Sequence, residues 1–244
     1  ASVYKPTAVF PGWDVRSLYP TGFSPKYGSD YDDLQLVAGV RGQFTPDLSW
    51  DVSGSYGRNR IEYTLDESIN ASLGPASPTS FYLGRLSQVE KNLNADFVYG
   101  LPLAVLAAPL NIAFGAEFRE ETYGVDAGDP ASYAIGPGAA AGLAGNSNGA
   151  PGFGPDNAGR WSQRSHAAYV DVEAPLSTRW NVGAAARYER FSSFGGTLDG
   201  KLSTRFEVTP ALALRGSVST GFRAPTPGQL YTTSTVQGLD TVTL

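Results

Sequence analysis

The chain has 244 residues and a formal net charge of −5; only 17% of it is charged, against roughly 25% in an average protein, while 12% is aromatic and 29 residues are glycine. It holds no cysteine and a single histidine, His166, which removes disulfides, thiolate metal sites, a cysteine nucleophile and a multi-histidine metal site from consideration. The 18 Lys and Arg are scattered, so the sequence offers no basic patch for nucleic acid, and the composition points to β structure with tight turns.

The opening ASVYKPTAVF lacks the charged start and apolar run of a secretory leader, and the chain contains no methionine, so Ala1 is not read as a translation start. Residues 1–33 read as a loop leading into the first strand. Alternation begins at LQLVAGVRGQFT (34–45), where Leu34, Leu36, Ala38, Val40 and Phe44 share one parity and Gln35, Arg41 and Gln43 the other. It continues in WDVSGSYGRN (50–59), NLNADFVYGL (92–101) and LNIAFGAEFRE (110–120). Four further segments follow, carried by Ala168, Val170 and Val172, by Trp180 to Tyr188, by Leu202 to Val208 and by Leu212 to Phe222. Period-two alternation over such lengths predicts about eight strands, each with an apolar and a polar face.

The predicted connections fall into two sets. Short turns lie at TPDL (45–48), APLST (174–178) and VTPAL (208–212), with a slightly longer link at LAVLAAP (103–109). Long loops are expected near 61–89 and 122–163, and another begins at 225 and runs to 244. A compact soluble domain rarely needs such long structureless loops. No segment approaches the ~18 apolar residues of a membrane helix, and mean hydropathy is −0.19. A transmembrane β-barrel escapes both measures, because only alternate residues face lipid, and short turns at one end with long loops at the other is its pattern. Phe44, Trp50, Tyr99, Phe118, Trp180, Tyr188, Phe206 and Phe222 lie on the apolar parity near strand ends. They read as interfacial girdles or as aromatic packing in a soluble sandwich; the loop lengths favour the membrane.

STGFRAPTPGQL (219–230) resembles the segment of TonB-dependent outer-membrane receptors in which a barrel strand rises into an extracellular loop. VAGVRG (37–42), WDVSGSYGRN (50–59), AFGAEFREETYGVDAGDPASY (113–133) and YERFSSFGGTLDGKLSTRFE (188–207) resemble other stretches of that family, in its order. The resemblance implies a transmembrane barrel of 22 strands, of which this chain supplies about eight. The family's plug and transducer-binding motif have no counterpart here, so the chain is expected to be an internal piece of a longer receptor. Its implied partners are outer-membrane lipid, the rest of the receptor with its plug, an inner-membrane energy transducer and a nutrient ligand. No cofactor is implied.

Candidate lumen or ligand-side residues are Arg223, Arg215, Arg205, Arg187, Glu117, Arg119, Glu121, Tyr82, Arg85 and Trp161. Arg223 follows a strand and precedes Pro225 and Pro227, which stop ladder pairing. An ion pair with a neighbouring strand or the plug is the favoured role for it, contact with an anionic ligand the alternative. The row Glu117, Arg119, Glu121 reads as a charge ladder rather than an acid–base pair. His166 near Ser162 and Ser165 reads as a wet rim residue rather than a base. Asp30, Asp32 and Asp33 read as a solvated loop, and the glycines of 136–154 as loop flexibility. A passive porin, a soluble all-β binding module and, last, an outer-membrane enzyme remain the alternatives.

Overall fold

A computed structural model of the chain describes residues 4–232. Eight strands form one antiparallel sheet in sequence order: β1 (Lys26–Thr45), β2 (Leu48–Asp66), β3 (Phe81–Leu101), β4 (Leu110–Ala127), β5 (Gly159–Ser177), β6 (Trp180–Phe191), β7 (Gly195–Thr209) and β8 (Leu212–Ser219). Each pairs with its chain neighbours, and β1 and β8 are the edges of an open sheet.

Directly paired residues project to the same side of a sheet, so the register fixes the facing. One rung runs Trp50, Phe97, Phe114, Val170 and Ala186; the adjacent rung runs Arg41, Asp51, Asp96, Gly115, Tyr169 and Arg187. Val182, Phe206 and Val218 fall with the first set, and Arg205 and Arg215 with the second. The alternation therefore sorts into one apolar and one polar face across all eight strands. Leu36, Val40, Leu202, Leu214 and Val218 stand exposed on the apolar face. A contiguous surface of that kind belongs against lipid or another apolar partner.

The short turns share a device. The register slips between Gln43 and Thr45, between Pro175 and Ser177, and between Glu207 and Thr209, which leaves Phe44, Leu176 and Val208 as bulged residues. Bulges raise the local twist that tight hairpins need. Ser177 Oγ also accepts from the backbone N–H groups of Arg179 and Trp180 at 3.2 and 3.1 Å.

At the other end the strands run further than the alternation marks. β1 begins at Lys26, β2 continues to Asp66 and β3 starts at Phe81, so the first long loop is confined to 67–80; the second is confined to 128–158. In the extra length of β2 the apolar parity switches: Ile61, Tyr63 and Leu65 share the parity of the polar face, while Arg60, Glu62 and Thr64 share that of the apolar face, so the lower alternation does not carry through. Asp30, Asp32 and Asp33 are part of β1, not of a loop: Asp32 pairs with Arg58 and Asp33 accepts from Asn59 Nδ2 at 2.6 Å.

The long loops are packed rather than loose. Residues 4–25 lie against them, and Trp13, Val15, Ile69, Ala71 and Leu143 form a buried cluster with Phe10 and Tyr19. A second cluster joins Leu65, Phe81 and Leu83 to Tyr63, Ala131 and Ala150. Leu65 and Tyr63 carry the polar-face parity, so these loops fold over the polar face. Asn70, fully buried, donates to the carbonyls of Ala131 and Ala134 at 2.8 and 2.9 Å and accepts from the Ser72 hydroxyl at 2.7 Å. The glycines of 136–154 serve close approach: a Cβ on Gly138 would stand 2.8 Å from Phe10 Cε2. Their reading as flexibility is corrected by this packing.

Residues 220–226 leave the sheet after β8, and a short helix, α1 (Pro227–Tyr231), packs on β4 and β5. Thr226 and Gln229 close a capping box at its start. The predicted loop from 225 thus contains ordered helix as far as 231; its remainder, 233–244, lies outside the described residues.

Candidate functional site on the polar face

Three tiers stand on the polar face beneath the folded loops. In the lowest, Asp96 on β3 accepts from the Tyr169 hydroxyl of β5 at 2.6 Å. Gly115 of β4 lies between them and permits the crossing. Toward β8, Arg205 is 2.6 Å from Glu207, while Arg215, directly opposite Arg205, has no ion pair among the described residues.

The middle tier is a charge ladder. Glu117 takes Arg119 at 2.9 Å through one oxygen and Arg187 at 3.3 Å through the other. Arg187 also reaches Glu189 at 3.2 Å. Ala167 on β5 stands between Glu117 and Glu189 in the register, and its small side chain leaves room for a bridge from β4 to β6. Arg119 Nε donates to Asn92 Oδ1 at 3.2 Å, and Asn92 Nδ2 donates to Glu90 and to Ser55, which carries the network back to β2. Each carboxylate finds a cation or donor, as a partly buried polar wall requires.

The upper tier is aromatic. Tyr123 on β4, Trp161 on β5 and Tyr231 on α1 stack in succession, with ring centroids 6.0 and 5.5 Å apart. Below them, Arg223 lines a recess of about 190 Å³ with Glu121, Glu189, Arg119 and Gln163. Arg223 forms no ion pair among the described residues, so the expected pairing to a neighbouring strand is not met there; it stands exposed beside two carboxylates.

Of the candidates taken from the sequence, Glu117, Arg119, Glu121, Arg187, Arg205, Arg215 and Trp161 stand on the polar face. Arg85 and Tyr82 do not. Arg85 pairs in register with Glu62 and Asp126, which share the parity of the apolar face, and it binds Asp126 with Glu62 3.5 Å away. A bulge at Leu83 brings Tyr82 opposite Thr64 on that same side, with its N–H on Asp129 Oδ2 at 2.9 Å. Parity carries Arg85 to the outside, and the bulge carries Tyr82 there after it. His166 and Ser165 are on opposite faces; the His166 ring lies 5.1 Å from Phe118, and the Ser162 hydroxyl bonds to Thr122. Glu90, Glu189, Tyr123 and Tyr231 belong to the site and were not singled out from the sequence. The first three have the right parity within their strands; only the position of α1 reveals Tyr231.

An open strand wall with an apolar outside, a polar inside and loops folded over the inside is part of a transmembrane β-barrel. The chain belongs to the family of TonB dependent receptor-like β-barrels, which matches residues 3–243. That family comprises outer-membrane receptors rather than enzymes. Similar solved structures include the siderophore receptor PirA from Acinetobacter baumannii, at 13% identity over 82% of this chain and 34% of that one, with a TM-score of 0.41. The siderophore receptor PirA from Pseudomonas aeruginosa is 16% identical over 85% of this chain and 40% of that one, with a TM-score of 0.41. The chain thus spans between 34% and 40% of the length of those receptors. A comparison with curated proteins finds no match.

Proposed function

We propose that this chain forms part of the wall and outer mouth of an outer-membrane receptor that takes up a nutrient ligand at the expense of inner-membrane energy. The observation that carries the reading is the tiered polar face under the folded loops. A ligand arriving from the long-loop side meets the Tyr123–Trp161–Tyr231 stack first and then the recess at Arg223, Glu121 and Glu189. Stacked rings offer apolar area with little entropy to lose, and the charges below offer orientation. Passage to the periplasm is assigned to a plug elsewhere in the receptor, moved by an energy transducer of the inner membrane.

The whole receptor, expressed in its own outer membrane, tests this. Uptake of the ligand that supports growth is expected to stop when the proton gradient is collapsed, while surface binding persists. Trp161→Ala is expected to weaken binding about tenfold or more, by loss of roughly 1–3 kcal/mol of stacking and apolar contact. Uptake that continues without the gradient would make the barrel a passive pore.

A further inference from the structure

The apolar face carries a feature that ligand uptake does not use. Ala184 and Ala186 on β6 and Gly200 on β7 are small where neighbouring strands are large, and they floor a groove of about 650 Å³. Val170, Leu198 and Val218 form its rims, with Leu198 73% exposed. Above the groove the same face turns cationic. Arg190 stands about ten residues along β6 from Trp180, and His166 and Arg164 about eleven and thirteen residues along β5 from Ser177. Roughly 9–11 tilted residues cross the hydrocarbon, so these three side chains stand at the level of the outer headgroups. His166 and Arg190 are paired in register. Arg190 makes no ion pair among the described residues. Arg164 is 2.6 Å from Glu120, but that carboxylate also takes Lys91 at 3.2 Å, so the cluster keeps an excess of positive charge.

We propose that this is a binding site for a phosphorylated lipid of the outer leaflet. An acyl chain lies in the Ala184–Ala186–Gly200 groove, and the headgroup phosphate meets Arg190, Arg164 and His166. The two parts lie one above the other on adjacent strands, as a single amphipathic molecule requires. A guanidinium recognises phosphate through paired donors and holds it more strongly at a membrane surface than in bulk water. A free phosphate would have no use for the groove. The inference rests on the reading that the sheet spans the outer membrane.

The test uses the whole receptor extracted in mild detergent, with bisphosphorylated lipid A as the probe and native mass spectrometry as the readout. The unaltered receptor is expected to retain the probe. Arg164→Gln combined with Arg190→Gln, and separately Ala186→Phe in the groove, should each lower its occupancy at least tenfold. Arg179→Gln, an equal charge loss at the short-turn end, should leave it unchanged. Dephosphorylated probe should bind the unaltered receptor as poorly as the double variant binds the native probe. Heat-dependent gel mobility verifies that each variant is folded. Equal retention by the double variant, or equal binding of the dephosphorylated probe, overturns the site. Membrane fractionation is read separately: a receptor found outside the outer membrane refutes the membrane reading itself.

Discussion

Tyr169 on β5 donates its hydroxyl to Asp96 Oδ1 on β3 at 2.6 Å, across the intervening strand at Gly115. A Cβ on Gly115 would stand 2.6 Å from Ala95 O, 2.7 Å from Asp96 Oδ1 and 2.8 Å from Tyr169 Cε1. The glycine is therefore what lets a side chain skip one strand and tie three together. Tyr169→Phe should cost about 1–2 kcal/mol, because Asp96 loses a charge-assisted bond. Gly115→Val should cost more, since it breaks the same bond and adds an overpacking penalty of roughly 1–3 kcal/mol. Urea unfolding of the whole receptor in lipid vesicles measures both; a neutral Gly115→Val would refute the close crossing.

The four tryptophans provide a depth gauge. Trp50 and Trp180 lie on the apolar face near the short turns, Trp161 on the polar face, and Trp13 in the buried loop cluster. In single-tryptophan variants reconstituted with brominated lipid, Trp50 and Trp180 are expected to be quenched and Trp13 and Trp161 to be spared. Quenching of Trp161 as strong as that of Trp180 would contradict the assignment of faces to lipid and lumen.

Asn70 holds the loops together from a fully buried position. Asn70→Ala removes the donor for the Ala131 and Ala134 carbonyls and the acceptor for Ser72, at a cost of roughly 2–4 kcal/mol. The damage should be local, because the strand ladders do not depend on this residue. Limited proteolysis is expected to cut within 67–80 and 128–158 in the variant while the barrel keeps its heat-dependent gel mobility. Loops that resist protease as the unaltered protein does would show that the buried network is dispensable.

Asp14 caps the short turn at Val15–Ser17, and its hydrogen bonds from the Arg16 guanidinium and backbone hold its carboxyl down at about 2, from an ordinary 3.8. A depressed folded value means that the ionised form contributes to stability. That contribution is complete above the ordinary value and is lost as pH falls from about 3.8 to about 2. Trp13, 7% exposed next to Asp14, reports the docking of this segment. Its fluorescence should change through that window, and Asp14→Asn should remove the step. An unchanged acid step in Asp14→Asn would assign it to another group.

The eight strands, their two faces and the short turns were legible in the sequence because period two is a local property. Val40 and Arg41 differ in facing by one position, and no distant residue is needed to say so. Most of the polar-face candidates followed by the same parity, including Glu117, Arg187 and Arg215. Arg85 went to the other side because its strand was taken for a loop, and a parity cannot be assigned to a segment not recognised as strand. The upper strands were missed because the lower alternation does not continue through them: on β2 the apolar residues Ile61, Tyr63 and Leu65 change to the parity of the polar face. What only the tertiary structure decided is whatever depends on register between strands and on long-range packing. Glu117 meets Arg187 because the register of β4, β5 and β6 sets the small Ala167 between Glu117 and Glu189, with Arg187 two positions before Glu189 on the same face. The burial of Asn70 among loop carbonyls and the arrival of Tyr231 on Trp161 join residues tens of positions apart, through glycine-rich segments whose sequences carry no periodicity.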